Sequence, residues 1–312
     1  MEKEKENSPL DTKDSSLATN SVKYARRLIE ALSDMRAKKH LCDITITVGG
    51  RHFDAHKSLL TACSPYLRQM FADNLEISGK GTVVLDDFDA DVLEMILDSV
   101  YGAELTILDS SVGPLLAAAT RLQIARIQRQ CCDYLEQQMS VANCLSIREI
   151  AEEYSCDDLA HSARECILYE FEEVVENEEF LKLTVDRLIG IISENALNIS
   201  SEEKIYEAVM RWVNHGNDDR STHLPDLLQH VRFSQIEPIY IVEKVFRNPL
   251  IKANKQCLEH VVPAYEYLKH RQSHSKEALD VGDSECEAKL RAREKPILSE
   301  ILYAVGEEMH RY

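Results

Sequence analysis

Three groups of side chains in this sequence are of types that do chemistry. His56 and Lys57 follow shortly after Asp43, and an imidazole beside a carboxylate and an ammonium suits general acid–base work. His270 and His274 are four residues apart, which on a helix puts both rings on one face, as a metal pair requires. Nine cysteines offer thiols for redox or metal chemistry. Each group has a structural reading that fits its surroundings better. His56 and Lys57 close a predicted hairpin, where with Asp43 they suit a partly buried polar network. His270 and His274 have no third ligand nearby and lie in polar sequence. The cysteines are scattered singly apart from Cys131-Cys132, with no CxxC pair of the kind that builds a zinc site. No Gly-rich phosphate loop or nucleophile elbow occurs either. The expectation is therefore no catalytic residue, no metal site and no cofactor, and a function of recognition.

The elements that position these groups begin with Leu41 to Phe71. Cys42, Ile44, Ile46 and Val48 alternate with Asp43, Thr45 and Thr47, the period of a half-buried strand. Gly49-Gly50 supplies the positive φ angles of a tight hairpin, and Arg51 to Ala55 returns as a second strand. The spacing then turns helical through Leu59, Leu60 and Cys63. Ser64 stands as an N-cap and Pro65 as the first residue of a helix carrying Tyr66, Leu67, Met70 and Phe71.

On either side the chain is mostly helical. Residues 1–20 mix both charges with Ser, Thr, Asn and Pro and read as a disordered arm. From Ser21 a helix repeats Tyr24, Leu28, Leu32 and Met35 at spacings of four and three. After Phe71 come a polar loop, a strand at Thr82 to Leu85, and a helix capped by Asp89 that ends at Tyr101-Gly102. Leu105 to Leu108 reads as a further strand, followed by helices over Val112 to Gln123 and Ile124 to Met139. Residues 140–268 show helical spacing throughout, with a capping box at Ser200 and Glu203 before a helix carrying the only tryptophan, Trp212. Glu170 to Glu179 reads as a solvated face anchored by Phe171, Val174 and Val175. Residues 269–296 are polar, as a linker is, and 297–312 hold one more apolar, β-like segment.

The composition limits the partners. With 312 residues, 44% hydrophobic and 29% charged, two cored domains are expected. A net charge of -18 argues against a surface for nucleic acid. No apolar run is of membrane-spanning length and no signal-peptide pattern opens the chain, so an intracellular location, cytoplasmic or nuclear, is expected.

Asp43, His56-Lys57, Leu59-Leu60 and Ser64-Pro65-Tyr66, followed by Met70-Phe71, together resemble the signature of a BTB/POZ domain. Asn143 to Leu145, Phe180 to Leu183, the run from Ser201 to Trp212 and Val231 to Phe233 resemble the BACK domain that follows BTB in kelch-like proteins. The resemblance implies an α+β fold: a BTB/POZ domain over 21–139 with a small mixed sheet flanked by helices, then an all-α BACK domain over 140–268. Residues 297–312 would be a remnant of a kelch lead-in strand, too short for a complete propeller.

The resemblance also implies partners. In BTB domains that dimerise by exchanging an N-terminal helix, that helix packs across the two-fold axis, so Tyr24, Leu28, Leu32 and Met35 become dimer-interface candidates. Kelch-like BTB-BACK proteins are dimeric adaptors of cullin-3 RING E3 ubiquitin ligases. Matched residue by residue, the cullin-binding candidates are Tyr66, Met70, Phe71, Leu75 and Ile77, with residues 143–154 extending that surface. The family's loop has a hydrophobic residue, any residue, then Glu; here Leu75-Glu76-Ile77 keeps the hydrophobic anchor and replaces the acid. The alternative is a cullin-independent BTB scaffold, transcriptional or cytoskeletal, or a shortened form that pairs with full-length relatives as a heterodimer and blocks them.

Overall fold

The computed structural model describes residues 11–73, 81–215 and 218–273. The chain divides into two compact units, one of residues 1–138 with 153–156, the other of 139–152 with 157 onward.

The first unit is built on a three-stranded sheet in the order β2-β1-β3. Strand β1, Ile44–Val48, pairs antiparallel with β2, Arg51–Ala55. Gly49 and Gly50 close the hairpin at φ of 55° and 80°, a conformation that an L side chain resists. The alternation read from the sequence is the alternation of burial: Ile44, Ile46 and Val48 are inaccessible to solvent. Thr45 and Thr47, on the other face, hydrogen-bond across the ladder to Asp54 at 2.7 Å and His52 at 2.9 Å. Strand β3, Gly81–Val84, lies parallel to β1 on its free side, with Ile46 opposite Val83.

Helices cover this sheet. The longest, α1, runs Asp11–Ala37; α2 is Lys57–Cys63, α3 Pro65–Asp73, α4 Ala90–Val100, α5 Asp109–Arg121 and α6 Ala125–Gln137. Leu60, Leu67, Leu93, Ile96, Leu97, Leu115, Leu116, Leu122 and Ile127 are buried and form the core with the strand residues. The Asp89 carboxylate accepts from the N–H groups of Asp91 and Val92, capping α4. At the other end of α4 Gly102 takes φ +88°, and the Ala103 N–H returns to the Asp98 carbonyl.

In the first unit two local expectations differ from the structure. Helix α1 begins at Asp11, ahead of Ser21. No Pro or Gly interrupts residues 11–37, so a helix nucleated further along extends backward at little cost per residue. Leu105 to Leu108 does not form a strand. Leu105 and Ile107 are half-buried and their neighbours exposed, so the alternation is present, but among the described residues no ladder pairs with it.

The second unit is helical: α7 Cys144–Glu153, α8 Asp157–Tyr169, α9 Phe171–Glu176, α10 Glu178–Lys182, α11 Val185–Ile192, α12 Glu203–His215, α13 Leu224–Leu228, α14 Pro238–Tyr240, α15 Pro249–Ala253 and α16 Lys255–Ser273. The acidic run folds as α9 and α10. Phe171, Val174, Val175 and Phe180 are buried, Phe171 edge-on to Phe180 with centroids 6.4 Å apart, and Glu173, Glu176 and Glu178 face solvent. Trp212 is central to this core: its indole N–H donates to the Leu183 carbonyl at 2.9 Å, and the Arg220 guanidinium lies 4.2 Å from the ring centroid. Ser200 and Glu203 do not close a capping box. The Ser200 N–H donates to Glu172, and the Glu203 carboxylate accepts from the Glu237 N–H, so both reach to other elements. Glu202 is buried and accepts from the Arg232 N–H, pinning the turn before α12.

Candidate functional site

The site is built from Ser64 upward. Its hydroxyl accepts from the Leu67 N–H at 3.0 Å, the N-cap expected, and donates to the Leu122 carbonyl at 2.5 Å. Ser64 is fully buried. One side chain thus starts α3 and fastens it to the end of α5. From that anchor the helical period sets the faces: Leu67 points into the core, and Met70 and Phe71, three and four residues on, flank it on the same face, half-buried at its margin with Tyr66. Such residues give a partner apolar surface without dissolving the fold. Of the cullin-binding candidates, the structure brings Tyr66, Met70 and Phe71 together on α3; Leu75 and Ile77 lie outside the described residues.

Below α2 and α3 lies the polar network expected at His56. The Tyr101 hydroxyl is the partner that sequence reading missed. It accepts from the His56 backbone N–H at 2.8 Å and lies 2.7 Å from His56 Nδ1. Having accepted one proton, the hydroxyl donates its own to Nδ1, which assigns the imidazole proton to Nε2; that nitrogen lies 3.0 Å from the His40 carbonyl. Burial first of all raises the Tyr101 pKa, which keeps the phenol protonated for this role. Asp43 accepts from the Lys57 N–H at 2.7 Å and so caps α2. Both ring nitrogens of His56 are engaged inside the fold, leaving neither for proton transfer to a substrate.

Helix α1 is fastened at its C-terminal end. Arg36 pairs with Asp98 at 2.7 Å and lies over the Tyr101 ring, 4.9 Å from its centroid. Ile29 packs against Gly102, where an added Cβ would lie 2.6 Å from Ile29 Cγ2. Of the dimer-interface candidates, Leu32 and Met35 are half-buried, whereas Tyr24 is 71% and Leu28 51% exposed, as is Val22 at 67%. A groove of about 510 Å³ opens beside α1, lined by Ile29, Cys63, Pro65, Arg68, Gly102 and Ile124 among others.

Among the described residues no three His, Cys, Asp or Glu side chains come together to hold a metal. His270 lies in the last turn of α16, and His274 is outside the described residues. No helix among the described residues is long and apolar enough to cross a membrane.

Comparison with known proteins matches residues 32–139 to the BTB/POZ domain and residues 144–246 to BACK, BTB And C-terminal Kelch. Among solved structures the chain is similar to the BTB domain of zebrafish PATZ1, with 26% identity over 37% of this chain and 94% of that one and a TM-score of 0.34. It is also similar to the BTB domain of human gigaxonin, with 22% identity over 43% of this chain and 99% of that one and a TM-score of 0.33. Carrying these two interaction modules in this order, on an α+β domain followed by a helical one, the chain belongs to the BTB-BACK proteins.

Proposed function

We propose that this chain is a dimeric adaptor or modulator of a cullin-3 RING E3 ubiquitin ligase, acting by binding and catalysing no reaction itself. The observation that carries the reading is the edge of α3: Tyr66, Met70 and Phe71 stay half-exposed on a helix that Ser64 and Leu67 lock in place. Pre-organised apolar knobs of this kind lose little conformational entropy on docking and carry much of an interface's binding energy. Leu75 would complete the anchor, and Ile77 in place of the family's acid removes a rim carboxylate, which matters less than a desolvated knob.

The dimeric part rests on α1. Tyr24 and Leu28, four residues apart on one face of α1, stand in solvent, and an apolar face of this kind gains from the matching surface of a second copy around a two-fold axis. The groove beside Ile29 gives such a helix a place to pack.

The test is retention of the full chain on immobilised cullin-3 N-terminal domain at micromolar protein. Binding that Tyr66→Ala and Phe71→Ala weaken and Ile77→Glu strengthens is expected. No retention of the wild type, with no gain from Ile77→Glu, removes the cullin-3 reading.

A further inference from the structure

In the second unit α14 and the turn after it carry an apolar face that stands in solvent. Ile239 is 69% and Val242 40% exposed, and three residues apart they share one side; Ile241 and Val245, on the other side, are fully buried. A π turn over Ile241–Val245, closed by the Phe246 N–H on the Ile241 carbonyl at 2.8 Å, continues α14 and carries this division between inside and outside. Carboxylates rim the face. Glu237 and Glu243 are exposed on the same stretch, Glu207 accepts from the Tyr240 hydroxyl at 3.1 Å, and Glu203 accepts from the Glu237 N–H at 2.9 Å. Lys204, paired with Glu207, and the exposed Lys244 and Arg247 offset part of that charge and leave the rim net negative.

The sequence that follows α16 complements this face in both respects. Helix α16 ends at Ser273, and residues 274–312 lie outside the described residues. Ile297, Leu298, Ile301 and Leu302 are apolar, and the stretch just before them carries Lys289, Arg291, Arg293 and Lys295 against one acid, Glu294. A flexible linker over 274–296 has a root-mean-square reach of about 24–29 Å, and such a tether sets an effective concentration in the millimolar range. A contact too weak to join separate molecules at micromolar protein forms readily under that tether.

We propose that residues 289–302 fold back onto this face within the same chain, with Ile297, Leu298, Ile301 and Leu302 covering Ile239 and Val242 and the basic run lying among Glu203, Glu207, Glu237 and Glu243. The apolar part takes both sets of side chains out of water. The charges set the direction: the reversed segment would bring Glu307 and Glu308 to a rim that is already negative. A second copy free in solution at micromolar protein offers the same segment about a thousandfold more dilute than the tether does, so the chain's own segment is the occupant.

The experiment places the photo-crosslinker p-benzoylphenylalanine at position 239 of the full chain, where the side chain stands in solvent, and in a second version at position 242. Ordinary and nitrogen-15-labelled chains are mixed in equal parts at micromolar protein, irradiated and mapped by peptide mass spectrometry, and a buried Trp212 emission certifies each fold. The expected product joins either position to residues 289–302, with both halves carrying the same isotope. Ile301→Asp with Leu302→Asp should lower its yield about tenfold, as the loss of buried aliphatic side chains requires. Arg291→Glu with Arg293→Glu, or raising the salt from about 0.05 M to about 1 M, should lower it about threefold. Products that mix the isotopes put a second copy on the face, and products on another segment put that segment there. A yield no higher than at the exposed Lys252 leaves the face in water, and a yield that the two aspartates leave unchanged removes the apolar contact. Each of these four results overturns the proposal, and none of the readouts depends on cullin binding.

Discussion

Ser64→Ala isolates what holds the α3 edge in place. The backbone bonds at this position, Ser64 N–H to Leu60 and Arg68 N–H to Ser64, survive the change, and alanine fits the space that serine filled. What is lost is the hydroxyl, and with it both the cap on Leu67 and the donor to Leu122. Losing an N-cap costs about 0.5–2 kcal/mol, and leaving a buried carbonyl unpaired about 1–3 kcal/mol. Since one atom serves both bonds, the two do not simply add, and about 2–4 kcal/mol is the expected total. Hydrogen exchange read by mass spectrometry reports it directly. Amides of α3 and the end of α5 should exchange roughly 30- to 700-fold faster than in the wild type. Ser64→Thr keeps the hydroxyl and should lose less. Weakened retention on cullin-3 should accompany the loss, because Tyr66, Met70 and Phe71 ride on the same helix. An acceleration under about threefold for Ser64→Ala, or an equal effect of Ser64→Thr, would refute the assignment of this hydroxyl as the anchor.

Other outcomes follow from the same geometry. Tyr24→Asp with Leu28→Asp should halve the mass seen by light scattering and leave the far-ultraviolet circular dichroism unchanged, since both side chains stand in solvent on their own chain. Gly102→Ala meets both a φ of +88° and a Cβ contact of 2.6 Å with Ile29, and should cost about 1–3 kcal/mol in thermal unfolding; Ile29→Ala in that background should recover the steric part and not the backbone part. Glu172 and Glu203 are each raised by burial, but the Ser200 N–H and hydroxyl with Lys204, and the Glu237 N–H with the Ser201 hydroxyl and the Glu203 N–H, together outweigh it and bring both below the ordinary 4.5. Both carboxyls are thus more acidic folded than unfolded, so the stability they contribute is complete above pH 4.5 and is lost as pH falls through their folded values. Urea midpoints followed by Trp212 fluorescence from about pH 6 down to about pH 3 should show this loss, flattened in Glu172→Gln and Glu203→Gln.

What was legible in the sequence is what acts over a few residues. The Gly49-Gly50 hairpin, the Asp89 cap, the Gly102 stop and the Ser64-Pro65 start all depend on a residue and its near neighbours, and each stands where its type and spacing put it. The other half of the site is long-range. Tyr101 meets His56 across 45 positions and Leu122 meets Ser64 across 58, and nothing near either residue marks it as a partner. The Ser200–Glu203 box misled for the same reason: each end found a better partner elsewhere, on Glu172 and at Glu237.

Periodicity has a related limit, because it states which face wants cover and is silent on what supplies it. In β1 the alternation and the cover agree, with Ile44, Ile46 and Val48 sealed under helices. In α1 they separate: the stripe from Tyr24 to Met35 is helical as read, yet only its C-terminal half finds apolar contacts and its N-terminal half stays in water. Residues 105–108 repeat the mismatch, with alternating burial and no ladder among the described residues. An apolar helix face and a segment outside the ladder on one unit share a physical remedy, which is surface and backbone hydrogen bonds supplied by another chain. If a second copy supplies both, Tyr24 and Leu28 and the amides of 105–107 should gain protection together, at the same protein concentration, and a segment that stays unprotected when the other becomes covered would separate them.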